Sequence, residues 1–147
     1  MKVKAVLFIF LFSALLISGM YGGDKEDIVR VVESGYFNGA FNDLDTEAME
    51  KSFDPTFAIF SAKGNELRRY PIDVWLQGIK KRKAAPDFDK SKVKRVCRIV
   101  NIDVTGVCAS VKVEIDKEGK LIYTDYLSLL KFEDGWKIVA KVYHHHK

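Results

Sequence analysis

From Leu121 to Tyr143 the chain reads LIYTDYLSLLKFEDGWKIVAKVY, a run of β-branched and aromatic residues broken once, at Glu133-Asp134-Gly135. That pattern predicts two long antiparallel strands joined by a tight hairpin. Trp136, Ile138, Ala140 and Val142 alternate with Lys137, Val139, Lys141 and Tyr143, so one face of the second strand is apolar and the other mixed. The period of two begins at Ser91. It predicts four strands, at about residues 92–104, 107–116, 120–132 and 136–144. The turns between them, Thr105-Gly106, Lys117-Glu118-Gly119 and Glu133-Asp134-Gly135, each hold a Gly where a hairpin requires positive φ.

Upstream the period is helical. Ile28, Val31, Val32, Gly35, Tyr36 and Gly39 or Ala40 recur at spacings of three and four, predicting a helix over about 25–42 with Asp24 as N-cap and Asp27 as the capping-box acid. Gly35 and Gly39 cost a helix roughly 1 kcal/mol each against Ala, which implies close approach of another element or a bend. The turn at 42–45 leads into a short helix over 46–51. Pro55 closes it, because the residue before Pro avoids the helical region. A strand over 56–62, a turn at Lys63-Gly64-Asn65, a short partner over 66–69 and a helix over 72–83 behind Pro71 complete the chain.

Loop lengths set an expected register. A three-residue loop pairs Phe132 with Trp136, which puts Thr124, Tyr126, Ser128 and Leu130 on the face of Ile138, Ala140, Val142 and His144. The other two turns pair Ile115 with Ile122 and Val104 with Val107. All three hairpins then agree on one inner face, which also takes Arg98. In this register Cys97 lies opposite Glu114 and Cys108 opposite Asp103, roughly 20 Å apart along the strands. A disulfide needs Cα atoms within about 7 Å, so two free outward-facing thiols or an intermolecular bridge are expected.

Lys2 and Lys4, the apolar run from Ala5 to Ile17 and the small residues Ser18 and Gly19 have the layout of a secretory signal peptide. The run is shorter than the roughly 20 residues that span a bilayer, so a leader over 1–22 is expected rather than a stable membrane anchor. A single domain over 24–147 and a secreted or periplasmic location follow. Without the leader, 22 basic side chains face 20 acidic ones, too even a balance to argue for nucleic acid. The cluster Lys80-Lys81-Arg82-Lys83 suits a helix C-terminus. His144-His145-His146 brings at most His144 and His146 together on one strand face, so no metal site is expected, and no residue pattern implies a cofactor.

Helices first, then a long antiparallel sheet ending in a WKI strand, make a recognisable order. With Tyr36-Phe37-Asn38-Gly39, Phe53-Asp54-Pro55, the segments 102–106 and 109–114, Tyr123 to Lys131 and Gly135 to Val139, the chain resembles the nuclear transport factor 2-like superfamily. Ketosteroid isomerases, scytalone dehydratases and SnoaL-like cyclases share that fold. The chain most resembles the bacterial family called "putative lumazine-binding". The resemblance implies an α+β cone, with helices packed on a curved antiparallel sheet around a pocket. On this reading the pocket is lined by Tyr36, Phe41, Phe57, Trp75, Arg98, Thr124, Tyr126 and Ser128. It implies a non-catalytic module for a small ligand, flavin- or pterin-like by the family's name. The alternative is a small isomerase, dehydratase or hydrolase of the ketosteroid isomerase type. Asp125 falls outside in the expected register, and no His–Asp pair is evident, so the residues favour binding. Relatives dimerise through their sheets, which makes a homodimer through Tyr123, Leu127, Leu129, Val139 and Tyr143 the expected assembly.

Overall fold

A computed structural model describes residues 23–147, so the expected leader lies outside the described residues. Helix α1 spans Asp24–Val31 and runs on without a break into a π-helical stretch, Val32–Asn42. Helix α2 is Thr46–Ser52, followed by strands β1 (Phe53–Lys63) and β2 (Glu66–Pro71). Helices α3 (Ile72–Lys83) and α4 (Lys90–Val93) precede the strands β3 (Val96–Thr105), β4 (Cys108–Lys117), β5 (Lys120–Phe132) and β6 (Gly135–His145). The six strands form one sheet in the order β2-β1-β6-β5-β4-β3. Its neighbours are antiparallel except β1 and β6, which run parallel. The fold is α+β.

The expected cap of the first helix shifts by one residue. Gly23 is the N-cap and makes no side-chain cap bond. Asp24 instead accepts hydrogen bonds from Lys131 Nζ at 2.6 Å and Trp136 Nε1 at 3.1 Å, pinning the start of α1 to the β5–β6 hairpin. Asp24, Glu26 and Asp27 lie in the first turn, where negative charge suits the helix dipole. Asp45 caps α2 as the turn chemistry predicts, accepting from the backbone N–H groups of Glu47 and Ala48. Spacings of three and four do not disclose the π-helical stretch. It is wider than an α-helix and buries Val32, Gly35, Tyr36, Phe37, Gly39 and Ala40 together. The two glycines mark a close approach. A Cβ on Gly39 would lie 2.8 Å from Met49 Cγ, and one on Gly35 would overlap the Ser52 side chain.

The sheet register is where expectation and structure part. The β5–β6 loop has two residues, Glu133 and Asp134, so Phe132 pairs with Gly135 and Leu129 with Ile138. A bulge on β6 then restores the expected pairs, Ser128 with Ala140 and Tyr126 with Val142. The pairs beyond the bulge are those expected, yet they face the other way. Period two means that a one-residue change of phase turns every side chain over. Tyr123, Asp125, Leu127 and Leu129 therefore face the helices, with Ile138, Lys141 and Tyr143 beside them. A second bulge, between Ile115 and Asp116, sets Val113 opposite Asp125 and Val111 opposite Leu127. A third, in β3 at Val100, turns Arg98 outward.

The core lies between this face and the helices. Ile28, Tyr36, Phe57, Val111, Val113, Ile115 and Ile138 are all completely buried in it. Fully burying each aliphatic side chain contributes roughly 1.5–3 kcal/mol. Both Cys are free. Cys108 is exposed on the outer side, as expected. Cys97 pairs with Ile115 rather than Glu114 and turns inward, where burial pushes its thiol up to about 11.

Candidate functional site

Three polar side chains meet beneath the helices. Tyr36 comes from the π-helical stretch, Asp125 from the middle of β5 and Lys141 from β6 just past its bulge. The Tyr36 hydroxyl donates to Asp125 Oδ2. Lys141 Nζ donates to the Tyr36 oxygen at 2.6 Å and to Asp125 Oδ2 at 3.1 Å. Tyr36 and Asp125 are wholly buried and Lys141 is 6% exposed. Asp125 Oδ1 has no hydrogen-bond partner among the described residues. Burial, then the Asp125 charge and hydrogen bond, hold the Tyr36 phenol well above its usual value, so it stays protonated. Burial draws the Lys141 ammonium below its usual value, against the opposing pull of Asp125. A lysine ammonium carries three donors, and two are used here, which leaves one N–H for a visitor.

Lys141 forms part of the wall of a cavity of about 450 Å³. Phe41, Trp75, Tyr123 and Tyr143 supply its aromatic walls, Ile59 and Ser61 come from β1, and Arg68, Arg69 and Tyr70 come from β2. The ammonium sits in an aromatic cage, 5.1 Å from the Tyr36 ring centroid, 5.2 Å from Tyr143 and 5.8 Å from Trp75. Trp75 is itself braced by Phe57, stacked at 6.1 Å, and by Phe53, edge-on at 5.8 Å. The cation comes from inside and the two guanidinium groups from β2, so positively charged hydrogen-bond donors stand among the aromatic walls.

Of the eight residues expected to line the pocket, the structure gathers four on this side of the sheet. Phe41 and Trp75 line the cavity. Tyr36 anchors its lysine, and Phe57 packs behind Trp75. The other four lie elsewhere, for the reasons of phase given above. Arg98 faces outward and holds Glu114 at 2.8 Å and Asp116 at 2.6 Å, which raise its already high pKa further. Tyr126 and Ser128 are exposed on the outer face, and Thr124 pairs with His146 Nε2 at 2.9 Å. Four of the five residues expected to form the outer dimer surface are likewise turned in, while Val139, at the β6 bulge, is half-buried. Leu127 and Leu129 are in the core, and Tyr123 and Tyr143 line the cavity.

Sequence reasoning missed Asp125 and Lys141. The available signal is a charged residue among bulky apolar ones, in YTDYL and IVAKVY, a pattern that fits a paired buried charge and a solvated strand face alike. Among the described residues no helix is long and apolar enough to cross a membrane, and no group of three metal-ligating side chains gathers.

The fold has counterparts. A nuclear transport factor 2-like protein of unknown function from Shewanella baltica OS155 superposes with a TM-score of 0.66 at 28% identity, over 88% of this chain and 98% of that one. One from Methylobacillus flagellatus KT gives 0.64 at 27% identity, over 87% and 97%. One from Silicibacter pomeroyi DSS-3 gives 0.62 at 24%, over 83% and 95%, a likeness of fold alone. No curated protein matches the sequence. The profile of the family described as "Putative lumazine-binding" matches residues 18–144, nearly the whole described domain, and the chain belongs to that family, within the nuclear transport factor 2-like superfamily.

Proposed function

We propose that the cavity binds a small, flat, aromatic molecule rich in carbonyl or acidic groups, for which a lumazine-like pteridine is the class that the family's description supplies. One observation carries this reading: a cavity of about 450 Å³ with aromatic walls and a buried lysine donor. Its size and its few convergent polar groups suit a small-molecule site. The isomerase-type alternative has its phenol and carboxylate in Tyr36 and Asp125. Asp125, however, does not line the cavity, and its Oδ2 already accepts from both Tyr36 and Lys141. A base must reach the proton that it removes, so this placement supports binding over proton abstraction.

The reading is tested by calorimetric titration with lumazine and riboflavin. Binding in the micromolar range is expected, with Trp75→Ala weakening it about ten-fold, or 1.4 kcal/mol. Arg98→Ala is expected to leave it unchanged, because Arg98 lies across the sheet. No heat at about millimolar ligand, or equal losses in the two variants, would overturn the reading.

Two further parts of the proposal rest on different residues. The first is a homodimer through the face opposite the core, a reading supported by Tyr126, Leu130 and Val142, which are 49%, 40% and 51% exposed there. A second copy would cover these side chains through an isologous contact. Light scattering is expected to give twice the chain mass, and Tyr126→Lys with Val142→Lys to halve it; a monomeric wild type ends this part. The second is export, supported by the pattern over residues 1–22. A mature N-terminus still carrying Met1 and its lysines would exclude cleavage.

A further inference from the structure

Lys141 is placed as few lysines are. Its side chain is almost fully buried, yet it forms part of the cavity wall. A carboxylate oxygen lies 3.1 Å from Nζ and a phenol oxygen 2.6 Å from it. These are the groups that a lysine needs to act on a carbonyl: a base to take its proton, a donor for the oxygen that must leave, and aromatic walls to hold the partner. We propose that Lys141 captures aromatic aldehydes or ketones that enter the cavity, forming a reversible Schiff base. This rests on the reading that the cavity admits a flat aromatic molecule.

The steps balance without any added reactant. Asp125 takes one proton from the Lys141 ammonium, and the amine lone pair attacks the carbonyl carbon. The C–N bond forms as the C=O π pair moves to oxygen. That oxygen takes a proton from Tyr36, which recovers it from Asp125. A carbinolamine results. The nitrogen still carries two protons and the positive charge; one passes to Asp125 and through Tyr36 to the hydroxyl, the freed nitrogen lone pair expels water, and the last proton stays on the imine nitrogen. Carbonyl compound and ammonium become protonated imine and water, with the positive charge conserved. Desolvation of the amine favours the step, because an amine must shed its proton to attack. Arg68 and Arg69 on the cavity wall suit a substrate that carries a carboxylate on its ring.

The probe is 4-carboxybenzaldehyde, reduced with borohydride at about pH 7 and mapped by peptide mass. The carboxybenzyl adduct is expected on Lys141 about ten-fold above exposed lysines such as Lys63 and Lys147. The unreactive analogue 4-carboxybenzoate is expected to suppress labelling at Lys141 alone. Tyr36→Phe is expected to slow it at least about ten-fold while 4-carboxybenzoate still binds by calorimetry. Calorimetric binding of 4-carboxybenzoate with Lys141 labelled no faster than the surface would overturn the inference and leave the binding reading standing. Failure of both 4-carboxybenzoate and lumazine to bind, with no selective labelling, would overturn the two together.

Discussion

Asp125→Ala is expected to lower the free energy of unfolding by about 3–5 kcal/mol, measured by urea denaturation near pH 7. The carboxylate is wholly buried, and its partner Lys141 is nearly so. Removing it leaves an ammonium beneath the helices with no counter-charge. The folded protein has two ways out. It can carry the unpaired charge, or it can release the proton. Release from a lysine of ordinary pKa about 10.4 costs about 1.4 kcal/mol per pH unit, and so limits this part of the loss to about 4–5 kcal/mol at pH 7. The second route gives the variant a pH signature. The folded state would hold Lys141 neutral while the unfolded state stays protonated below about pH 10. The unfolded chain then binds one more proton, and stability rises by about 1.4 kcal/mol per unit from pH 7 toward 10. Wild type is flat over the lower part of that range. Asp125 keeps Lys141 charged in the fold, so the rise begins only at the depressed folded pKa of Lys141. Asp125→Leu with Lys141→Met removes both charges and is expected to recover most of the loss. A single-variant loss below about 1 kcal/mol, with no pH slope, would mean that the pair is open to water.

The same residue shows what the chain discloses before folding. Element order was plain: β5 and α3 lie where period and turn chemistry put them, at Lys120–Phe132 and Ile72–Lys83, and most other strand ends differ by one or two residues. The α+β fold was legible for the same reason. The facing of the sheet was not. A hairpin loop of two residues in place of three, with one bulge after Ile138, was enough to exchange Tyr126 and Ser128 for Asp125 and Leu127. Alternation in β5 alone cannot choose between these sets, because both contain tyrosine and leucine. The choice depends on local twist and on the cost of leaving Leu127 and Leu129 in water, a property of the packed molecule. The helical half of the site was more legible. Tyr36 lies on the face marked by spacings of three and four and Trp75 lies in α3, while Phe41, five residues past Tyr36, is brought within 5.3 Å of its ring by the wider π-helical turn. The lysine at the cavity wall was hidden twice, by the bulge that turns it inward and by the habit of reading a strand lysine as solvated.

Gly35→Ala is the second substitution with a large expected effect, and its sign runs against helix propensity. In an open helix the change would add about 1 kcal/mol of stability. Here the new Cβ overlaps the Ser52 Cβ and Oγ and comes 3.2 Å from the Ala48 backbone oxygen. Ser52 is 4% exposed and ends α2, directly before β1, so it cannot swing aside without moving the strand that carries Phe53 and Phe57. Overpacking of this kind costs about 1–3 kcal/mol, and a larger side chain costs more. Gly35→Val is therefore expected to cost about 3 kcal/mol or more, read as a lower denaturation midpoint at unchanged slope. The strain would also reach the cavity. Tyr36 is the next residue, and a backbone pushed away from α2 carries its hydroxyl away from Lys141 Nζ and Asp125. Ligand binding should then weaken at a concentration of denaturant where both variants remain folded. Ser52→Gly alone loses a small buried side chain, but in the Gly35→Ala background it removes the overlapping atoms. The pair should recover about half or more of the Gly35→Ala loss, a coupling expected only of groups in contact. Additive losses would show that α2 yields at that contact and that the glycine serves the π-helical backbone instead.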